Sequence, residues 1–166
     1  MTMSTTTLND ITLTRLGGGT ERLGDYAGKV LLVVNVASRC GYAPQYEQLE
    51  ELQRTYSNHG FSVLAFPSNQ FAQELKSAED IEEYCQARWG VTFPIFEKTK
   101  VNGRAKHPLF AALHEAKDPA GRGGRVRWNF EKFLLLPNGE LHRFRSATLP
   151  DDPRIVELIE GALPEE

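Results

Sequence analysis

Residues 30–37, Val-Leu-Leu-Val-Val-Asn-Val-Ala, form a nearly unbroken apolar run rich in β-branched side chains. A run of this length reads as a strand buried on both faces, which requires covering elements on each side of its sheet. That requirement points to an α/β architecture. The run ends at Ser38-Arg39-Cys40-Gly41, and Pro44-Gln45-Tyr46-Glu47 then opens an amphipathic segment, with Pro44 suited to a first helical turn. A thiol is thereby expected where a strand gives way to a helix N-terminus. Exposed N–H groups and the helix dipole favour an anion there, and the anion is the reactive form of a cysteine. Position alone also fits a small buried hydrophobe.

The other elements follow from period and punctuation. Ile11–Leu16 alternates apolar and polar residues, Gly17-Gly18-Gly19 turns the chain, and Arg22-Leu23 can pair back, giving an N-terminal β-hairpin. A first helix is expected from about Pro44 to Ser57, with Tyr46, Leu49, Leu52 and Tyr56 as its apolar stripe and Gly60 as its stop. Phe61–Phe66 is a second buried strand. Ser77 followed by Asp80 has capping-box-like spacing for a second helix, whose stripe is Ile81, Tyr84, Cys85 and Trp89. Residues 91–96 are extended, and a third helix runs from Pro108 to about Lys117. The Gly-rich stretch from Asp118 to Gly124 is expected to be a mobile loop. Strands over Arg127–Leu136 and Leu141–Arg145 flank the hairpin signal Asn138-Gly139. Pro153–Leu163 is a closing helix. The right-handed crossover of the first strand–helix–strand unit makes its strands parallel, and the later hairpin adds antiparallel ones. The expected fold is thioredoxin-like: a central mixed β-sheet flanked by helices, with an N-terminal β-hairpin, in one domain over residues 1–166.

Composition narrows the function classes. A net charge of −3 and a 40% hydrophobic fraction are ordinary for a globular chain and give no footing for nucleic acid or a membrane surface. The one basic cluster, Arg122, Arg125 and Arg127, lies in the Gly-rich loop. No apolar run approaches the roughly 20 residues of a membrane span, and residues 1–7 carry no apolar signal core, so a cytoplasmic location is expected. Two cysteines, Cys40 and Cys85, make neither a CxxC pair nor a disulfide scaffold. The four histidines have no ligand spacing with either cysteine, so no metal and no bound cofactor are expected.

Four ordered motifs then carry a resemblance. Asn35-Val36-Ala37-Ser38-Arg39-Cys40-Gly41 with Pro44-Gln45-Tyr46, Phe66-Pro67-Ser68-Asn69-Gln70-Phe71, Gly90-Val91-Thr92-Phe93-Pro94 with Val101-Asn102-Gly103, and Trp128-Asn129-Phe130-Glu131-Lys132-Phe133 together resemble the glutathione peroxidase family over roughly residues 8 to 162. The resemblance implies a peroxidase acting on hydrogen peroxide and organic hydroperoxides. It places Cys40 at the peroxidatic position, with Gln73, Trp128 and Asn129 as the other members of a catalytic tetrad. Neutral amide and indole N–H donors suit this chemistry, because charge develops first on sulfur and then on the leaving oxygen. Cys85 resembles the resolving cysteine of two-cysteine members, which condenses with a sulfenic acid to a disulfide. Thioredoxin is then the implied reductant, with glutathione the alternative.

The residues themselves also admit plainer readings. Trp128 begins an apolar strand and fits core, and Cys85 on a helix stripe fits core as well. Gln73 is one of two glutamines in a polar loop. Three departures from the family pattern bear on these roles. Ser68 stands where relatives commonly have cysteine, Ala72 alone separates Phe71 from Gln73, and Leu75-Lys76 replaces a usual Pro-Gly. The shortened loop makes Gln70 the alternative to Gln73. No arginine cluster matches the glutathione-binding positions of tetrameric members, and the short segment between His107 and Trp128 implies a monomer. A peroxide sensor or redox relay would use the same Cys40 chemistry, and a non-catalytic thioredoxin-like scaffold would not need Trp128 and Asn129.

Overall fold

The central strand of the expected sheet, β3 (Val30–Val36), has every residue buried. In the computed structural model, which describes residues 8–164, β3 pairs in parallel with β4 (Phe61–Pro67) on one side. On its other side it pairs antiparallel with β5 (Lys132–Leu135), which pairs in turn with β6 (Leu141–Phe144). The sheet order is therefore β4-β3-β5-β6, a mixed sheet. A separate antiparallel hairpin joins β1 (Thr12–Thr14) to β2 (Thr20–Arg22).

Both faces of the sheet are covered, as a strand without polar alternation requires. Val30, Leu32, Val34 and Val36 share one apolar cluster with Tyr46, Leu49 and Leu52 of α1 (Gln45–Tyr56) and with Ile155 and Ile159 of α4 (Pro153–Ala162). Leu31 and Val33 point the other way, into a cluster with Leu13, Leu23, Leu109, Phe110 and Leu113. Cys40 and Cys85 both belong to the first cluster. Gly60 ends the turn after α1 at φ 91°, and a side chain there would also meet the Pro164 ring at 2.3 Å, so both backbone and space call for glycine.

α2 (Ala78–Tyr84) starts where Ser77 Oγ accepts the Asp80 N–H at 3.0 Å. Its last turn, Cys85–Trp89, widens to π-helical bonding before Gly90 reverses the chain at φ 61°. Among the described residues no helix is long and apolar enough to cross a membrane.

Three expectations are corrected. α3 (Pro108–Leu113) stops short of Lys117 because Glu115 and Ala116 bond three residues back, to Ala112 and Leu113, and Gly124 N–H takes the His114 carbonyl. The stretch from Asp118 to Gly124 is tied down. Asp118 caps the N–H groups of Ala120 and Arg122, and Arg145 binds Asp118 while donating to the carbonyls of Arg122 and Gly123. Residues 127–131 are not strand. Phe130 sits at φ 63°, a left-handed conformation that costs about 1–2 kcal/mol for a non-glycine residue, so the ladder begins only at Lys132.

Candidate active site

The site is assembled at the ends of β3 and β4 by three irregular segments: residues 37–43, 68–75 and 127–131. Cys40 lies in a turn rather than in the helix. Its carbonyl accepts the Ala43 N–H at 2.9 Å, and α1 begins only at Gln45. The expected helix N-terminus thus lies one turn beyond the thiol. The N–H group that reaches the sulfur is that of Tyr42, at 3.4 Å. Cys40 is 5% exposed, while Arg39, Gly41 and Tyr42 around it are exposed.

Asn35, fully buried near the end of β3, fixes the third segment. Its Nδ2 donates to the Trp128 carbonyl at 3.0 Å, its Oδ1 accepts the Glu131 N–H at 3.1 Å, and its backbone carbonyl accepts the Phe130 N–H at 2.6 Å. The Phe130 ring packs edge-on against Tyr46 of α1, with centroids 5.3 Å apart. Behind this turn, Glu131 forms a buried ion pair with Arg143 and a second with Arg145. These contacts hold the left-handed Phe130, and with it the orientation of Trp128 and Asn129.

Trp128 is 36% exposed, with its ring 5.2 Å from that of Phe71. The indole therefore stands at the rim of the site rather than in the core. Asn129 is fully buried in a turn. Its Nδ2 donates to Gln73 Oε1 at 3.1 Å, and its Oδ1 has no partner among the described residues.

The two glutamines separate cleanly. Gln70 commits its amide to residues 101 and 102, accepting the N–H groups of Val101 and Asn102 and donating to the Asn102 carbonyl. Gln73 faces the cysteine segment: its carbonyl accepts the Arg39 N–H at 2.8 Å and its side chain meets Asn129. The short loop closes because Ala72 adopts φ 58° and its N–H reaches the Asn69 carbonyl. The neighbouring Glu74 is a site residue that the sequence reading missed. Its Oε1 binds the Ser38 N–H and hydroxyl at 3.0 and 2.5 Å. A charged residue in a polar loop gave no signal of this burial.

Cys85 is fully buried at the head of the π-helical turn, and both cysteines are free. Burial pushes its thiol up to about 11, with the Glu74 carboxylate adding in the same direction and the Tyr46 hydroxyl opposing. Among the described residues no group of three His, Cys, Asp or Glu side chains could hold a metal ion.

Residues 8–114 match the model of the glutathione peroxidase family. The chain belongs to the glutathione peroxidase family. It is 44% identical to the thioredoxin/glutathione peroxidase BtuE of Escherichia coli, with 96% of each chain covered. It is 45% identical to the glutathione peroxidase-like peroxiredoxin 2 of Saccharomyces cerevisiae, over 88% of this chain and 91% of the relative. It is 44% identical to the hydroperoxy fatty acid reductase gpx1 of Synechocystis, over 82% and 85%. Among solved structures, the apo form of Trgpx superposes with a TM-score of 0.71 at 36% identity, over 95% and 98% of the two chains. A thioredoxin-family thiol:disulfide interchange protein of Chlorobium tepidum superposes at 0.65 with 15% identity, over 94% and 96%, which establishes the thioredoxin-like fold alone.

Proposed function

We propose that this member of the family is a two-cysteine thiol peroxidase, a single thioredoxin-like domain that reduces hydrogen peroxide and organic hydroperoxides. The observation that carries the site assignment is the joining of Gln73 and Asn129 through their amides at 3.1 Å. The Gln73 backbone is bonded to the residue before Cys40, and Trp128 is next to Asn129 in the chain.

In the first half-reaction the Cys40 thiolate attacks one peroxide oxygen. The S–O bond forms, the O–O bond breaks, and the alkoxide or hydroxide leaves with a proton, giving a sulfenic acid and an alcohol or water. The unused N–H of the Asn129 amide, the Gln73 amide nitrogen and the Trp128 indole supply neutral donors for the charge that moves from sulfur to the leaving oxygen. In the second half-reaction the Cys85 sulfur displaces water from the sulfenic acid to form an intramolecular disulfide. A dithiol then returns both cysteines to thiols by exchange. Cys85 stands at the head of a π-helical turn, a form that recurs at functional sites, and opening that turn is the motion that would bring its sulfur out to Cys40. The name of the E. coli relative supports thioredoxin as the donor, with glutathione as the alternative. We place the protein in the cytoplasm as a monomer.

The test is mass spectrometry of the reduced protein after one equivalent of hydroperoxide. Loss of two hydrogen atoms, mapped to a Cys40–Cys85 link, is expected. Cys85→Ser is expected to stall at Cys40 sulfenic or sulfinic acid, and Cys40→Ser to consume no peroxide. Unconsumed hydroperoxide in the presence of reduced thioredoxin would overturn the assignment.

A further inference from the structure

Glu74 is a buried carboxylate that neither half-reaction uses. It is 6% exposed, and burial pushes its carboxyl upward. Taking a carboxylate out of water is unfavourable unless its hydrogen bonds offset the loss, so a side chain that only filled space here would be apolar. All of its side-chain bonds converge on one oxygen. Oε1 accepts the Ser38 N–H at 3.0 Å, the Ser38 hydroxyl at 2.5 Å and the Leu75 N–H at 2.8 Å, while Oε2 has no partner among the described residues. Bonds of this kind to an ionised carboxylate are roughly twice as strong as neutral ones.

The backbone of Glu74 is fixed as well. Its N–H donates to Asn69 Oδ1 at 3.1 Å, and the Asn69 carbonyl accepts the Ala72 N–H at 2.9 Å, so residues 69–74 fold onto themselves. Gln73, one residue earlier, takes the Arg39 N–H on its carbonyl and the Asn129 amide on its side chain. Residues 74 and 73 thus grip residues 38 and 39 in turn. Among the described residues, Gln73 and Glu74 supply every hydrogen bond that reaches residues 38–42 from outside the cysteine turn and the start of α1. Arg39, Gly41 and Tyr42 are exposed and add little packing.

We propose that Glu74 is a positioning residue for the peroxide half-reaction, holding Ser38 so that Cys40 stays in register with the Gln73–Asn129 pair. The proposal rests on the reading of Cys40 as the peroxidatic thiol. Glu74 exchanges no proton or electron with the substrate and acts through Ser38. Attack on peroxide needs the sulfur, the O–O bond and the donor amides aligned at once, and a misplacement of about 1 Å can cost about a hundredfold in rate. Alkylation of the same sulfur by iodoacetamide needs only the thiolate and access, because iodide leaves without help from those amides.

The experiment compares these two reactions of Cys40 in the full-length protein, read by rapid quenching and mass mapping of the Cys40 peptide between pH 5 and 9.5. Rates are compared on the alkaline plateau, where the thiol is ionised. Glu74→Ala is expected to lower the hydrogen peroxide plateau by about tenfold or more, and to leave the iodoacetamide plateau within about threefold of wild type. Glu74→Gln keeps the reach and an acceptor oxygen and is expected to recover most of the loss. Ser38→Ala is expected to slow the peroxide reaction severalfold alone and to add nothing in Glu74→Ala, since both changes break one link. Ser38→Ala decides the matter if Glu74→Ala does not fold. Equal losses in the two reactions would overturn the positioning role, as would a wild-type peroxide plateau in Ser38→Ala or in folded Glu74→Ala. The peroxidase reading would stand in those cases. Failure of Cys40 in the wild type to react with peroxide would instead overturn that reading itself.

Discussion

Asn129 donates to Gln73 across 56 residues of sequence, and the bond joins the turn after Arg127 to the loop after β4. Each amide fixes the rotamer of the other, so the two act as one unit over the cysteine segment. Removing a single preorganised donor from an active site typically costs about 10²–10³ in rate. Asn129→Ala and Gln73→Ala are each expected to slow Cys40 oxidation by about tenfold to a thousandfold, measured by stopped-flow with hydrogen peroxide. The double variant is expected to lose little beyond the worse single one, because members of a unit are not additive.

Asn35 is the structural counterpart of that pair. Its amide satisfies both the Trp128 carbonyl and the Glu131 N–H from a fully buried position. Asn35→Ala leaves two backbone groups unmatched, and each such loss costs about 1–3 kcal/mol. The variant is expected to lose about 2–6 kcal/mol in denaturant unfolding by that same reckoning. Peroxidase turnover is expected to fall as well, since Trp128 and Asn129 ride on the turn that Asn35 holds. Full activity in a destabilised Asn35→Ala would mean that the turn does not need this clamp.

Ala72 carries the strain of the short loop. At φ 58° a residue with a Cβ pays roughly 1–2 kcal/mol that glycine avoids, against roughly 0.4–1 kcal/mol of extra unfolded-chain entropy for glycine. Ala72→Gly is therefore expected to stabilise by up to about 1.6 kcal/mol, the reverse of the usual Ala→Gly effect. A melting temperature below wild type would refute this.

The legible parts of the chain were those where one residue type dictates one outcome. The run 30–37 could only be a doubly covered strand, Asn138-Gly139 turned a hairpin as written, and Ser77 capped α2. The failures share a cause: tertiary contacts overrode local pattern. Trp128-Asn129-Phe130 reads as a strand by propensity, yet Asn35 and the Phe130–Tyr46 packing hold it as a left-handed turn. Arg145, distant in sequence, ties down a Gly-rich loop that composition alone would leave mobile. Gln70 stands as the alternative to Gln73 in the sequence because only their partners, residues 101–102 and Asn129, tell them apart. Glu74 gave no signal at all, since the Ser38 groups that bury it lie 36 residues away.

Lys132 makes the pH dependence of stability a direct readout of the same region. It is fully buried at the start of β5, and its ammonium donates to the Phe130 carbonyl at 2.5 Å and the Ser146 carbonyl at 3.1 Å. Gln45 at the start of α1 donates to the same Ser146 carbonyl. Among the described residues no carboxylate bonds to the ammonium, because the adjacent Glu131 is engaged by Arg143 and Arg145. Burial therefore pushes the lysine down to about 7, with Glu131 opposing only in part. In the unfolded chain it returns to roughly 10.4. Between these values the unfolded state binds more protons than the folded state, so folding stability must rise with pH. The penalty of holding the charge is complete below pH 7 and is relieved as pH approaches about 10, a span on the order of a few kcal/mol at roughly 1.4 kcal/mol per unit. Denaturant unfolding at pH 6.5, 8 and 9.5 is expected to show that rise in the wild type and a flatter profile in Lys132→Met. Parallel profiles in the two proteins would show that the lysine keeps an ordinary affinity for its proton.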